Sequence, residues 1–135
     1  MKKFTLDNHM ISAIGGAFYP TGHSMVMFPS EADASRIGHQ LIERDVVSGD
    51  EVYLIPASEI LAQITPTVKD TDNPLPSAGT DGATVRAYTK LAREGHAGLL
   101  VKTRDETVAE KVMEVVRQAP YSIAQRYRRL VIEDL

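Results

Sequence analysis

The chain is predicted to fold as an α+β, ferredoxin-like split βαβ sandwich: about four antiparallel strands with helices on one face and an extra helical insertion between the halves. Two observations carry this expectation. Val26-Met27-Phe28, then Ser30-Glu31-Ala32-Asp33-Ala34, leads into Ile37 and Leu41, and the pattern returns as Leu99-Leu100-Val101, Thr103-Arg104-Asp105-Glu106, then Val108, Val112 and Val116. Each passage reads as a short apolar strand, a polar helix start and an amphipathic helix. The length of 135 residues suits one domain with a real core.

Residues 1–18 read as an N-terminal appendage, because they hold no sustained period of 2 or 3.6 and include the pair Gly15-Gly16. Residues 19–135 form the single α+β domain. Tyr19-Pro20-Thr21-Gly22 is a turn, with proline at its second position and glycine at its fourth. A strand follows from about His23 to Phe28. Ser30 is the expected cap of the first helix, its hydroxyl accepting from an otherwise unpaired N–H, with Ala34, Ile37, Gly38 and Leu41 inward. Ser48-Gly49-Asp50 turns the chain into a second strand, Val52 to Ile55, closed by Pro56.

The insertion comes next. Ser58 to Ile64 reads as a short helix with Ile60, Leu61 and Ile64 inward, and Thr65 to Gly79, with Pro66, Pro74 and Pro76, as a loop. A helix from about Asp81 to Glu94 stops at Gly95. Ala97 to Lys102 is the third strand, and Thr103 or Asp105 starts the last helix, with Val108, Val112, Met113, Val115 and Val116 on its apolar face. From Tyr121 to Leu135 the pattern is strand-like throughout. The inward parity of Ile123 and Tyr127 conflicts with that of Leu130 and Ile132, which predicts a bulge near Arg128-Arg129 in one long, bent strand.

The strand ending in Phe28, the helix from Glu31-Ala32 to Leu41 and the strand Val52 to Ile55 together resemble the general-stress YflT-type domain, best over residues 23 to 55. The resemblance implies a small α/β domain associated with bacterial stress responses and brings no catalytic residues with it. This chain departs from that pattern in reading Arg44-Asp45-Val46-Val47 where a glycine usually follows the helix. Its Pro-rich loop and its tail Gln125 to Leu135 are further departures.

A net charge of −3 argues against general nucleic-acid binding, and no run approaches the ~18 apolar residues of a membrane span. With no cysteine, disulfides, thiol catalysis and thiolate metal sites are excluded. A cytoplasmic location is expected. The histidines His9, His23, His39 and His96 show no metal-ligand spacing, so neither a metal nor a cofactor is called for.

His23 and His96 each follow a glycine and precede a strand of the repeat, and are either independent loop residues or partners at one sheet end. Arg126 and Arg128 alternate onto one face of the last strand, as edge protection or as a forked cradle for phosphate or carboxylate. These four are the candidate ligand-binding residues. Three functions are compatible with this sequence. One is a non-catalytic stress-associated or regulatory protein acting through protein contacts, and another a sensor of a small anionic ligand. The third, by fold analogy alone, is a small dimeric oxygenase or haem-handling enzyme. A homodimer is expected, because the sheet face away from the helices needs cover, from a second copy or from residues 1–18.

Overall fold

Alternating side chains along a strand divide the apolar residues of each strand between two faces, and here both faces are covered. The computed structural model describes residues 1–13, 15–68 and 80–135. The elements in chain order are β1 Lys2–Lys3, β2 His23–Phe28, α1 Glu31–Glu43, β3 Val52–Ile55, α2 Ala57–Glu59, α3 Thr80–Arg93, β4 Ala97–Lys102, α4 Glu106–Val116, β5 Ile123–Tyr127 and β6 Ile132–Asp134. They form an α+β fold with one six-stranded sheet in the order β1-β3-β4-β2-β5-β6. Among the described residues every strand pairing is antiparallel except the short parallel one between β1 and β3.

Local chemistry sets the helix ends. The Ser30 hydroxyl accepts from the Asp33 N–H at 3.3 Å, and the Asp105 carboxylate accepts from the Val108 N–H at 2.9 Å. Of the two starts open for the last helix, Asp105 is the cap. The first helix ends at Glu43 with Arg44 as its cap, and Asp45 then takes a left-handed φ of 56° while Val46 N–H donates to Leu41 O at 3.0 Å. Aspartate tolerates this conformation, so it serves where a glycine is usual.

Helices α1 and α4 cover one face. Ala34, Ile37 and Leu41 meet Val26 and Leu99 from the sheet, and Val112, Val116 and Ala124 belong to the same cluster. The opposite face presents Met25, Met27, Ile55, Leu100 and Tyr127, and its cover comes from three sources. Residues 4–18 contribute Phe4, Met10 and Phe18. The turn after α2 contributes Ile60 and Ile64, and α3 contributes Val85, Tyr88 and Ala92. Phe4, Met10 and Phe18 are thus packed into the body, and of the two covers weighed for this face it is the chain's own N-terminal segment, with the insertion, that supplies it.

The insertion begins as predicted, with α2 widening into a π turn over Ile60–Ile64. Pro66 has no N–H to continue an α ladder, and a single 3₁₀ turn, Thr65–Thr67, follows. The proline-bearing loop predicted through Gly79 lies, from residue 69 on, outside the described residues. Gly98 leaves room for the Met25 side chain, whose Cε a Cβ there would meet at 2.6 Å, while Ile60 Cδ1 of the π turn lies at ordinary contact distance, 3.5 Å.

Two local expectations are corrected. The turn before β2 is Pro20–His23, closed by His23 N–H to Pro20 O at 3.1 Å, so Gly22, at φ 82°, occupies its third position. That position needs a positive φ, which glycine adopts without strain. The tail is not one bent strand but a hairpin, because β5 and β6 pair antiparallel and Arg128 N–H donates to Val131 O at 2.8 Å. The parity conflict read as a bulge marks a full reversal.

Candidate functional site

Antiparallel pairing of β2 with β4 sets His23 opposite Lys102, and β3 begins beside them with Val52 opposite Val101. The starts of β2 and β3 and the end of β4 therefore meet at one end of the sheet. There a cleft of about 390 Å³ opens, lined by His23, Tyr53, Lys102, Arg104 and the 48–51 turn.

Its acidic side is tightly organised. Ser48 donates its backbone N–H and its hydroxyl to Glu51 Oε1, each at 2.9 Å, and the hydroxyl also reaches the Asp50 carboxylate. The Ser48 hydroxyl, first of all, holds Asp50 below the usual carboxylate range. The Ser48 backbone N–H does the same for Glu51, helped by the Ser48 hydroxyl and by Arg104, whose guanidinium lies 2.8 Å from Glu51 Oε2. Both acids are thus ionised at neutral pH and held by donors of the cleft itself.

His23 is half-buried, and its Nδ1 lies 3.1 Å from the Thr21 carbonyl, to which an Nδ1–H donates. That tautomer leaves Nε2 as an acceptor. Burial, first of all, lowers the His23 pKa below 6.5, and the nearby Lys102 charge lowers it further against the opposing pull of the Thr21 carbonyl and Asp7. The imidazole is consequently neutral at pH 7. Below about pH 6.5 the unfolded chain takes up a proton that the folded imidazole resists, so stability rises with pH through that window and falls on acidification. Thermal melts between about pH 5 and about pH 7 should show this loss, and His23→Gln should reduce it. An unchanged pH slope in the variant would remove His23 as its source.

The four candidate residues lie in three places. His23 is in the cleft. His96 is at the opposite sheet end, because Phe28 pairs with Ala97 while His23 pairs with Lys102, a separation of roughly 17 Å at ~3.4 Å per residue. Strands that are neighbours but antiparallel send their first residues to opposite ends, so the shared histidine site is not formed. His96 Nδ1 instead lies 2.8 Å from the Ser122 hydroxyl.

Arg126 pairs in register with Ser24 and so lies one residue along from His23, on the face of α1 and α4. Arg128 lies beyond β5 in the hairpin turn, its Nη1 3.6 Å from Glu133 Oε2 and its carbonyl accepting from the Tyr19 hydroxyl at 2.6 Å. The two arginines flank Glu133 and form no common cradle with His23. Among the described residues no group of three or more His, Asp and Glu is placed to hold a metal ion, and no helix is long and apolar enough to cross a membrane.

Lys102, Arg104, Asp50 and Glu51 were not candidates from sequence. The signal was the join of two turn regions to two strand ends, which carries weight only once the register is known. Comparison with protein-family models, with curated proteins and with solved structures gives no match for this chain.

Proposed function

We propose that this chain is a small non-catalytic regulatory domain that binds a small anion in the cleft at the His23 end of the sheet. The observation that carries the reading is the convergence of Lys102, Arg104 and the neutral His23 on one 390 Å³ cleft. That volume lies at the lower end of small-molecule sites, ~300–1,000 Å³. Glu51 already holds Arg104, so Lys102 supplies the charge for the ligand. His23 Nε2 accepts from a hydroxyl or N–H on it, and Asp50 turns away ligands of high negative charge. A hydroxy or amino carboxylate meets all three conditions.

The strand order β3-β4-β2-β5, with α1 and α4 on one face, supports reading the core as ferredoxin-like. A stress-linked role rests on the resemblance over residues 23–55 alone. The oxygenase or haem-handling reading gains no support, because Phe4, Phe18, Tyr88 and Tyr127 fill the sheet face that such a pocket would use.

Thermal-shift titration with lactate, glycine, citrate and inorganic phosphate tests the proposal. A monocarboxylate bearing a donor should raise the melting temperature, with ~2.7 kcal/mol of stabilisation at a hundredfold excess over Kd. Lys102→Glu should abolish the shift, whereas Arg126→Ala should leave it. No shift with any of the four, or an equal shift in Lys102→Glu, would refute binding at this cleft.

A further inference from the structure

Two features at the β6 edge complement each other and take no part in the cleft. The first is the hairpin turn between β5 and β6. Leu130 is 92% exposed and Val131 52%, the large apolar residues most open to water among the described residues, and the exposed Arg128 and Arg129 precede them. The second is a groove of about 400 Å³ between α4 and β6. Glu106, Glu110 and Glu114 stand four residues apart along its helical wall, and Glu133 stands on the strand side. Ala109, Met113 and Leu135 give it apolar surface, and Arg117 is its one cation among the lining residues.

We propose that a second copy of this chain seats its turn, Arg129-Leu130-Val131, in this groove, and that the exchange is mutual about a two-fold axis. Charge complementarity favours this occupant: the turn brings arginine and exposed aliphatic surface, and the groove offers glutamates over apolar surface. Turn and groove both belong to the β6 side of the molecule, so one rotation seats both contacts and doubles the buried area. Pairing two β6 strands edge to edge is the other route to a dimer. It would bring both glutamate rows to one seam, where like charges oppose it. Arg128 stays with its own Glu133, and Arg129 is the cation presented outward.

Charge reversal at exposed positions tests the contact without touching the core. Native mass spectrometry and sedimentation equilibrium of the wild type should find a dimer of twice 14.8 kDa that weakens with salt. Arg129→Glu should raise the dimer Kd at least ~10-fold, and so should Glu110→Lys with Glu114→Lys. Mixing the two variants should restore a dimer, because in the mixed pair each turn meets a groove of opposite charge. A wild type that stays monomeric, reversals that leave Kd unchanged, or a mixture no tighter than its components would each overturn the proposal. Circular dichroism of every variant should match the wild type, and the cleft's response to anions should be unaffected.

Discussion

Replacing Phe18 with alanine is expected to cost about 3–5 kcal/mol, a large share of the ~5–15 kcal/mol that stabilises an ordinary domain. Phe18 is fully buried and sits at the centre of a ring cluster. Its centroid is 6.3 Å from Phe4, 6.4 Å from Tyr88 and 6.1 Å from Tyr127, each at a steep interplanar angle that sets ring edge against ring face. The three partners come from the N-terminal segment, α3 and β5. Truncation therefore opens a cavity where three parts of the chain meet, and that cavity has few ways to collapse. Urea unfolding would measure the loss, with Lys90→Ala as an exposed control expected to change stability by less than ~0.5 kcal/mol. A loss below ~1 kcal/mol at Phe18 would mean that residues 4–18 are not part of the cooperative fold.

The same residue explains why this part of the fold was hidden in the sequence. The buried residues Phe4, Met10 and Phe18 follow no helical or strand period, because among its described residues the segment crosses the sheet face with one 3₁₀ turn and an isolated bridge from Ile11 to Phe18. Helices α1 and α4 were legible for the opposite reason. Ser30 and Asp105 mark their starts, and the buried residues behind them keep to one helical face. Strands β2 and β4 carried a further signal in their near-continuous apolar runs, Met25 to Phe28 and Leu99 to Val101. Such runs fit strands covered on both faces, whereas a half-exposed sheet alternates.

The site was less legible than the fold because its geometry depends on strand direction. Ordering the strands brought β2 beside β4, which placed His23 and His96 on neighbours. Only the antiparallel register decides that one lies at each end. The same register brings Lys102 to His23 and the 48–51 turn to Arg104, across separations that no local motif spans. Arg128 and Glu133 are close in sequence, and the hairpin makes them an ion pair at 3.6 Å. At an exposed surface such a pair stabilises little, ~0–1 kcal/mol.

Gln63→Ala is expected to loosen the N-terminal segment at Phe4 and Leu6 at a cost of roughly 2 kcal/mol. Gln63 acts there as a missing strand neighbour would. Its Oε1 accepts from Leu6 N–H at 2.8 Å, and its Nε2 donates to Phe4 O at 3.2 Å and to Glu59 Oε2 at 2.6 Å. Without it, two partly buried backbone groups lose their partners, each worth ~1–3 kcal/mol, and water entering by local opening recovers part of that. Thr67 makes a second tie by accepting from Phe18 N–H at 3.0 Å, so the segment should loosen at Phe4 and Leu6 while holding at Phe18. Gln63→Glu separates the roles of the amide. The introduced carboxylate keeps an acceptor for Leu6, loses the donor to Phe4 O and faces the Glu59 carboxylate. Repulsion raises its folded pKa, so it binds more protons folded than unfolded, and stability falls as pH rises through the carboxylate range. Hydrogen exchange at the Leu6 amide, read beside melts at acid and neutral pH, distinguishes the cases. Exchange at Leu6 should accelerate in Gln63→Ala, while Gln63→Glu should regain protection only in acid. Leu6 protection equal to the wild type in both variants would show that burial of Phe4 alone holds the segment, with no part for the amide.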